Sequence, residues 1–257
     1  MRRATILLAI LAHGCGDRPP DRVTFESASP ATDEGRRVVE ALARKESWSA
    51  GFKAVEEKIG PFPAGLTVRV SFDWPGDEYG QGSGTGKRGW VRFNLSKLED
   101  YQRKVDEVER QKKALEAGGR KPVFRVPPAR LERMIWHELT HVLQGGCEGP
   151  DWFREGMAVW ASEDPNALAA FAHAGKKAEP IEAPLAEKKD AYARGHLFWK
   201  WLDSKGAAKR GAGAACLGRV DWKAALVDAT GLPWEKLIAA EQEWSAAELE
   251  KLRPVTK

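Results

Sequence analysis

Apolar residues recur along this chain with two different periods. Between residues 36 and 59 (RRVVEALARKESWSAGFKAVEEKI) they fall near helical spacing, with a break expected over 47–51 and an end at Gly60-Pro61. Residues 66–72 (LTVRVSF) and 90–95 (WVRFNL) alternate instead, which predicts two strands with one buried face each. The glycine-rich WPGDEYGQGSGTGKRG between them reads as a flexible connection. From residue 97 the helical period returns. Residues 97–117 predict a strongly charged helix with a narrow apolar stripe at Leu98, Tyr101, Val105, Val108 and Leu115. Such a helix either rests on its domain by one edge or docks a partner. Pro127-Pro128 introduces a helix over 129–144 that Gly145-Gly146 closes. Further helices are expected over 152–162, 190–204, 221–229 and 233–252, with a loop at 173–189 and a Gly/Ala-rich connection running to Arg219. Strands early and helices late give an α+β fold, a small N-terminal sheet followed by a mostly helical C-terminal lobe.

Composition narrows the function. The 257 residues are 42% hydrophobic and 30% charged, the balance of a globular chain that can bury a core. The formal net charge is only +4, and Arg2 and Arg3 supply two of those positives, so no basic footprint for nucleic acid remains. The glycine-rich connection is not a phosphate cradle either. Gly86-Lys87 is followed by Arg88 rather than Ser or Thr, and Gln81 stands where the first glycine of a P-loop would be.

The first residues, MRRATILLAILAHGC, have the layout of an export signal: two arginines, an apolar run over 4–12, then small residues and Cys15. The run is too short to span a bilayer as a permanent anchor. The segment resembles a bacterial lipoprotein signal, which implies lipidation of Cys15 and attachment to a membrane of the cell envelope. Residues 1–15 are then the signal, the polar and Pro-rich 16–35 a linker, and 36–257 the working domain. Export also changes how the other cysteines are read. In an oxidising compartment Cys147 and Cys216 are an even pair and a candidate disulfide, with two buried free thiols as the alternative.

His137-Glu138-Leu139-Thr140-His141 carries explicit chemistry. On a helix, histidines four apart share one face, so both imidazoles can reach one Zn²⁺. Glu138 sits beside them, able to reach an attacking water without itself holding the metal, which suits a general base. A catalytic zinc needs a third protein ligand and an open position. The metzincin continuation is excluded, because Gln144 and Cys147 stand where that pattern requires Gly and His. His173 and His196 have no spacing that relates them to the pair. Glu155, fourteen residues beyond His141 and early in the next expected helix, is the preferred third ligand. Glu148 and Asp151 are rivals in the connecting loop.

HELTH followed by PDWFREGMAVW resembles the gluzincin zinc metallopeptidases, both thermolysin-like and aminopeptidase-N-like, and more closely the compact bacterial peptidase-MA-like domains. The resemblance implies that one Zn²⁺ is bound by His137, His141 and Glu155, with Glu138 as the base. Tyr192-Ala193-Arg194-Gly195 is similar to the Tyr-x-Lys/Arg-Gly segment of the aminopeptidases, which implies that the Tyr192 hydroxyl stabilises the oxyanion. The Gly-x-Met-Glu-Asn motif that grips a free substrate N-terminus is absent, so the resemblance points to an endopeptidase. It also implies that a strand, here 90–95, borders the cleft. Arg154 and Arg194 are candidates for steering a substrate carboxylate, or else solvated or structural arginines. Two functions follow: a zinc endopeptidase of the bacterial envelope acting on peptide or protein substrates, or a non-catalytic zinc-binding envelope lipoprotein that binds a partner protein, for instance through 97–117.

Overall fold

A computed structural model describes residues 22–26, 28, 30–119, 131–164, 166–183 and 188–253. Residues 1–15, read from sequence as an export signal ending at Cys15, and residues 16–21, 27 and 29 of the expected linker lie outside the described residues. The described residues form four strands and ten helices.

The chain enters as β1 (Val23–Phe25), runs through α1 (Asp33–Leu42) and α2 (Lys45–Lys58), and returns as β2 (Thr67–Ser71), β3 (Gly80–Thr85) and β4 (Arg88–Phe93). The sheet order is β1-β2-β4-β3. β1 and β4 flank β2 in parallel, and β3 pairs antiparallel with β4 on the outer edge. Alternation decides which face is covered: Val68, Val70, Val91 and Phe93 are fully buried, while Thr67, Arg69, Arg88 and Arg92 are exposed on the other face. Residues 23–25, read from sequence as part of a linker, are therefore sheet, and the folded unit starts before residue 36.

Two further expectations change here. The break in the first helical stretch falls at Ala43-Arg44, not at 47–51. Trp48 is buried and its indole N–H donates to the Leu42 carbonyl at 2.6 Å, so the corner is closed from within α2. Residues 80–85 form a strand where a flexible connection was expected. Its glycines answer to a neighbour. A Cβ on Gly82 would lie 2.3 Å from the Glu138 carbonyl oxygen, and one on Gly84 2.3 Å from that of Val142. The strand thus lies on the backbone of α4 (Leu131–Leu143), a contact that side chains would prevent. With β3 outermost, residues 88–93 are interior, so the strand bordering the cleft is β3 rather than 90–95.

The remaining elements are helical: α3 (Leu95–Ala117), α4, α5 (Asp151–Ser162), α6 (Asn166–His173), α7 (Lys188–Ser204), α8 (Ala208–Cys216), α9 (Trp222–Thr230) and α10 (Trp234–Leu252). α8 lies in the stretch read as a Gly/Ala-rich connection; its alanines 208, 212 and 215 are buried, so small residues serve close packing there. Much of the chain's tryptophan sits at one place. Trp152, Phe153, Phe198, Trp199 and Trp222 pack edge-on or tilted with centroids 5.0–6.3 Å apart, and Trp199 Nε1 donates to the Phe153 carbonyl at 2.9 Å. This aromatic core clamps α5 to α7.

Arg194 and Glu241 form a buried bidentate pair at 2.5 Å that ties α7 to α10, with Ser245 also donating to Glu241 and Arg194 Nε to the Glu179 carbonyl at 2.7 Å. Arg194 is thus a structural residue and steers no substrate.

Candidate metal centre

α4 presents His137, Glu138 and His141 toward α5, where Glu155 lies one turn in from the helix start. His137 Nε2 and His141 Nε2 are 3.2 Å apart, and Glu155 Oε2 is 3.4 Å from the first and 3.3 Å from the second. Ligands held about 2.0–2.1 Å from one tetrahedral ion are themselves roughly 3.3 Å apart, so the three atoms already sit at the corners that Zn²⁺ requires. Glu155 Oε2 is buried without a hydrogen-bond partner, as expected of an atom whose partner is a cation. Among the described residues these three form the one cluster able to hold a metal. Glu148 and Asp151, the rivals for the third place, are exposed and outside it. With Glu138 beside them, His137, His141 and Glu155 match the HExxH…E arrangement of the gluzincin zinc peptidases.

Electrostatics agree with a metal-binding cluster. Burial opposes charge on Glu155, but the two imidazoles facing it hold its carboxyl well below the usual range. Burial likewise opposes charge on His141, yet Glu155 lifts that imidazole to about 9. Glu138 differs. It is buried, its Oε2 has no partner, and burial pushes its carboxyl up, against the pull of the two histidines. A carboxylate that readily takes a proton, beside the metal ligands but outside them, suits a general base.

Gln144 was used in the sequence only to exclude another pattern, and its place here was missed. Its Oε1 accepts from His141 Nδ1 at 2.8 Å, and its Nε2 donates to the Arg154 carbonyl at 2.9 Å and toward Met157 Sδ at 3.3 Å. One buried amide thus keeps the His141 proton on Nδ1, leaves Nε2 for the metal, and pins the backbone next to Glu155. The signal that could have found it is its position three residues past His141, on the same helical face.

Tyr192 comes into the site from α7. Its ring stacks on His137 with centroids 6.1 Å apart and planes 15° from parallel. Burial, then the carboxylates of Glu155 and Glu138, push the phenol upward, so its proton is held firmly. Two glycines bring it there. A Cβ on Gly156 would meet the Gly195 carbonyl carbon at 2.3 Å, and one on Gly195 would meet the Trp152 carbonyl oxygen at 1.9 Å. The backbones of α5 and α7 touch at this crossing, which sets Glu155 and Tyr192 against the same space.

That space is a cleft of about 1010 Å³ bounded by 77–82 on one side, α3 and α6 on another, and the zinc ligands, Glu138 and Tyr192 at its floor. Arg154 lines it and Arg194 does not. His173 ends α6 away from the ligand cluster, and His196 is buried in α7 outside the cleft. Cys147 and Cys216 are buried neighbours but free thiols, not the candidate disulfide; the Cys216 thiol also approaches Met157 Sδ at 3.7 Å.

No family model matches this chain, and no curated protein and no solved structure matches it either.

Proposed function

We propose that the protein is a zinc-dependent endopeptidase of the bacterial cell envelope, carried there by residues 1–15 and tethered through lipidated Cys15. The observation that carries the catalytic reading is the pairing of a ready-made three-ligand triangle with a buried, unpartnered Glu138 oxygen in one open cleft. A structural zinc site has a closed set of ligands and no use for such a carboxylate. A partner-binding lipoprotein would have no use for it either, which sets the endopeptidase reading ahead of the non-catalytic one.

His137, His141 and Glu155 would hold Zn²⁺, which would supply Lewis acidity toward a water and a peptide carbonyl oxygen. Glu138 accepts a proton as the water oxygen bonds to the carbonyl carbon, and hands it to the amine nitrogen as the C–N bond breaks. The Tyr192 hydroxyl, kept protonated by its surroundings, donates to the oxygen on which negative charge grows. Gln144 keeps the ligands in place throughout.

Glu138→Gln is expected to retain one zinc per chain while hydrolysis of a casein-type substrate falls by about 10²–10⁴-fold. Zinc content by mass spectrometry and release of new amino termini read the two separately. Undiminished turnover by the variant would sink the mechanism.

A further inference from the structure

Three sulfur atoms meet outside the cleft, where α5, the end of α8 and the loop after α4 come together. Met157 of α5 is fully buried, and Cys147 in the loop and Cys216, the last residue of α8, are buried beside it. Cys216 Sγ lies 3.7 Å from Met157 Sδ, and the same thiol is within hydrogen-bond reach of Cys147. None of the three lines the cleft. Their polar neighbours are few: Cys147 Sγ meets the Glu148 carbonyl only at 3.8 Å, and the Gln144 amide donates toward Met157 Sδ at 3.3 Å. Among the described residues no His, Asp or Glu joins the two thiols as a third ligand.

We propose that Cys147, Cys216 and Met157 bind one soft monovalent metal ion, Cu(I), through two thiolates and a thioether. The donor set decides the ion. Soft sulfur ligands select Cu(I), whereas Zn²⁺ sites are filled out by imidazole, carboxylate or further thiolates, which this place lacks. Spacing agrees: an ion about 2.3 Å from three sulfurs in one plane holds them about 4 Å apart, close to the 3.7 Å already present. On binding, two S–H bonds break, two Cu–S bonds form, both protons leave to solvent and no electron moves. Cu(I) with two thiolates carries one negative charge in a buried place. The Arg154 guanidinium, which favours the Cys147 thiolate, offsets it.

The test uses the full chain, zinc-loaded and with its thiols reduced, titrated without oxygen against the coloured Cu(I)–bicinchoninate complex. One Cu(I) per chain is expected to leave the dye, with zinc content unchanged and only sulfur neighbours in X-ray absorption at the copper edge. Cys147→Ser and Cys216→Ser should each weaken uptake by at least about 100-fold, and Met157→Leu by about tenfold, since both thiolates remain in it. Circular dichroism and zinc content confirm that each variant folds. No transfer of copper, copper that replaces the zinc, nitrogen neighbours at the copper edge, or uptake unchanged in any of the three variants overturns the site. So does a Cys147–Cys216 disulfide in protein isolated from cells, found by counting thiols before any reductant is added.

Discussion

Gln144 holds two ligands with one side chain, and its removal separates that role from the metal bonds themselves. Gln144→Leu fills the same volume but leaves His141 Nδ1 and the Arg154 carbonyl without partners. Zinc affinity, read by competition with a chelator, is expected to fall by about 10–100-fold. Gln144→Glu keeps the acceptor for His141 and loses the donor, so it should fall between the two. Equal affinities in all three would show that the amide does not position the ligands. The contrast with the histidines explains what could be read in the sequence at this scale. His137, Glu138 and His141 are related by helical geometry alone, and Glu155 by one turn between helices. Gln144 matters through a carbonyl on a second helix, and a carbonyl leaves no mark in a sequence. Arg194 failed as a substrate contact for a related reason, since its partner Glu241 lies 47 residues away.

Close backbone contacts govern the elements. The crossing of α5 and α7 depends on Gly195, where a Cβ would come within 1.9 Å of the Trp152 carbonyl. Gly195→Ala must therefore push the helices apart. A loss of about 1–3 kcal/mol in urea unfolding is expected, together with weaker zinc binding, because Glu155 rides on α5. Unchanged stability with unchanged zinc affinity would mean that the crossing relaxes without cost. The same kind of contact hid β3 from the sequence. Gly80, Gly82 and Gly84 are poor strand formers by propensity, yet the strand forms because α4 demands bare backbone opposite Glu138 and Val142. The strands 66–72 and 90–95 were legible because their buried face is made of Val and Phe. The helices were legible to within a few residues by period and by Gly or Pro at their ends, except α6 and α8. α8 is built from alanine and glycine and carries no stripe to read.

At the scale of the whole molecule, the α+β order of a small sheet then a helical lobe could be read, whereas the sheet order and the place of α3 in the cleft wall could not. Both depend on contacts between distant segments. The packed lobe also carries a titratable liability. His196 is buried in α7, and burial, with Lys200 and Lys58 beside it, pushes its imidazole down to about 3. Unfolded, the same group takes a proton near 6.5, so its contribution to stability is intact above that pH and drains away as the pH falls from 6.5 toward 3. The slope is about half of 1.4 kcal/mol per pH unit between pH 7 and 6 and approaches about 1.4 kcal/mol per unit below that. Urea unfolding of His196→Leu and the parent at pH 7, 6 and 5 should show a gap that shifts toward the variant by that slope, with effects of the zinc site cancelling. A pH-independent gap would place the imidazole proton elsewhere.

β1 and β3 occupy opposite margins of the sheet, with β2 and β4 between them. The described chain therefore begins three inter-strand spacings, about 14 Å, from the margin that borders the cleft. Whatever is joined ahead of Arg22, whether an affinity tag, a resin or a bilayer, pulls on the side of the molecule that does no chemistry. A bulky group joined at that end is therefore kept from the cleft's margin by the width of the sheet.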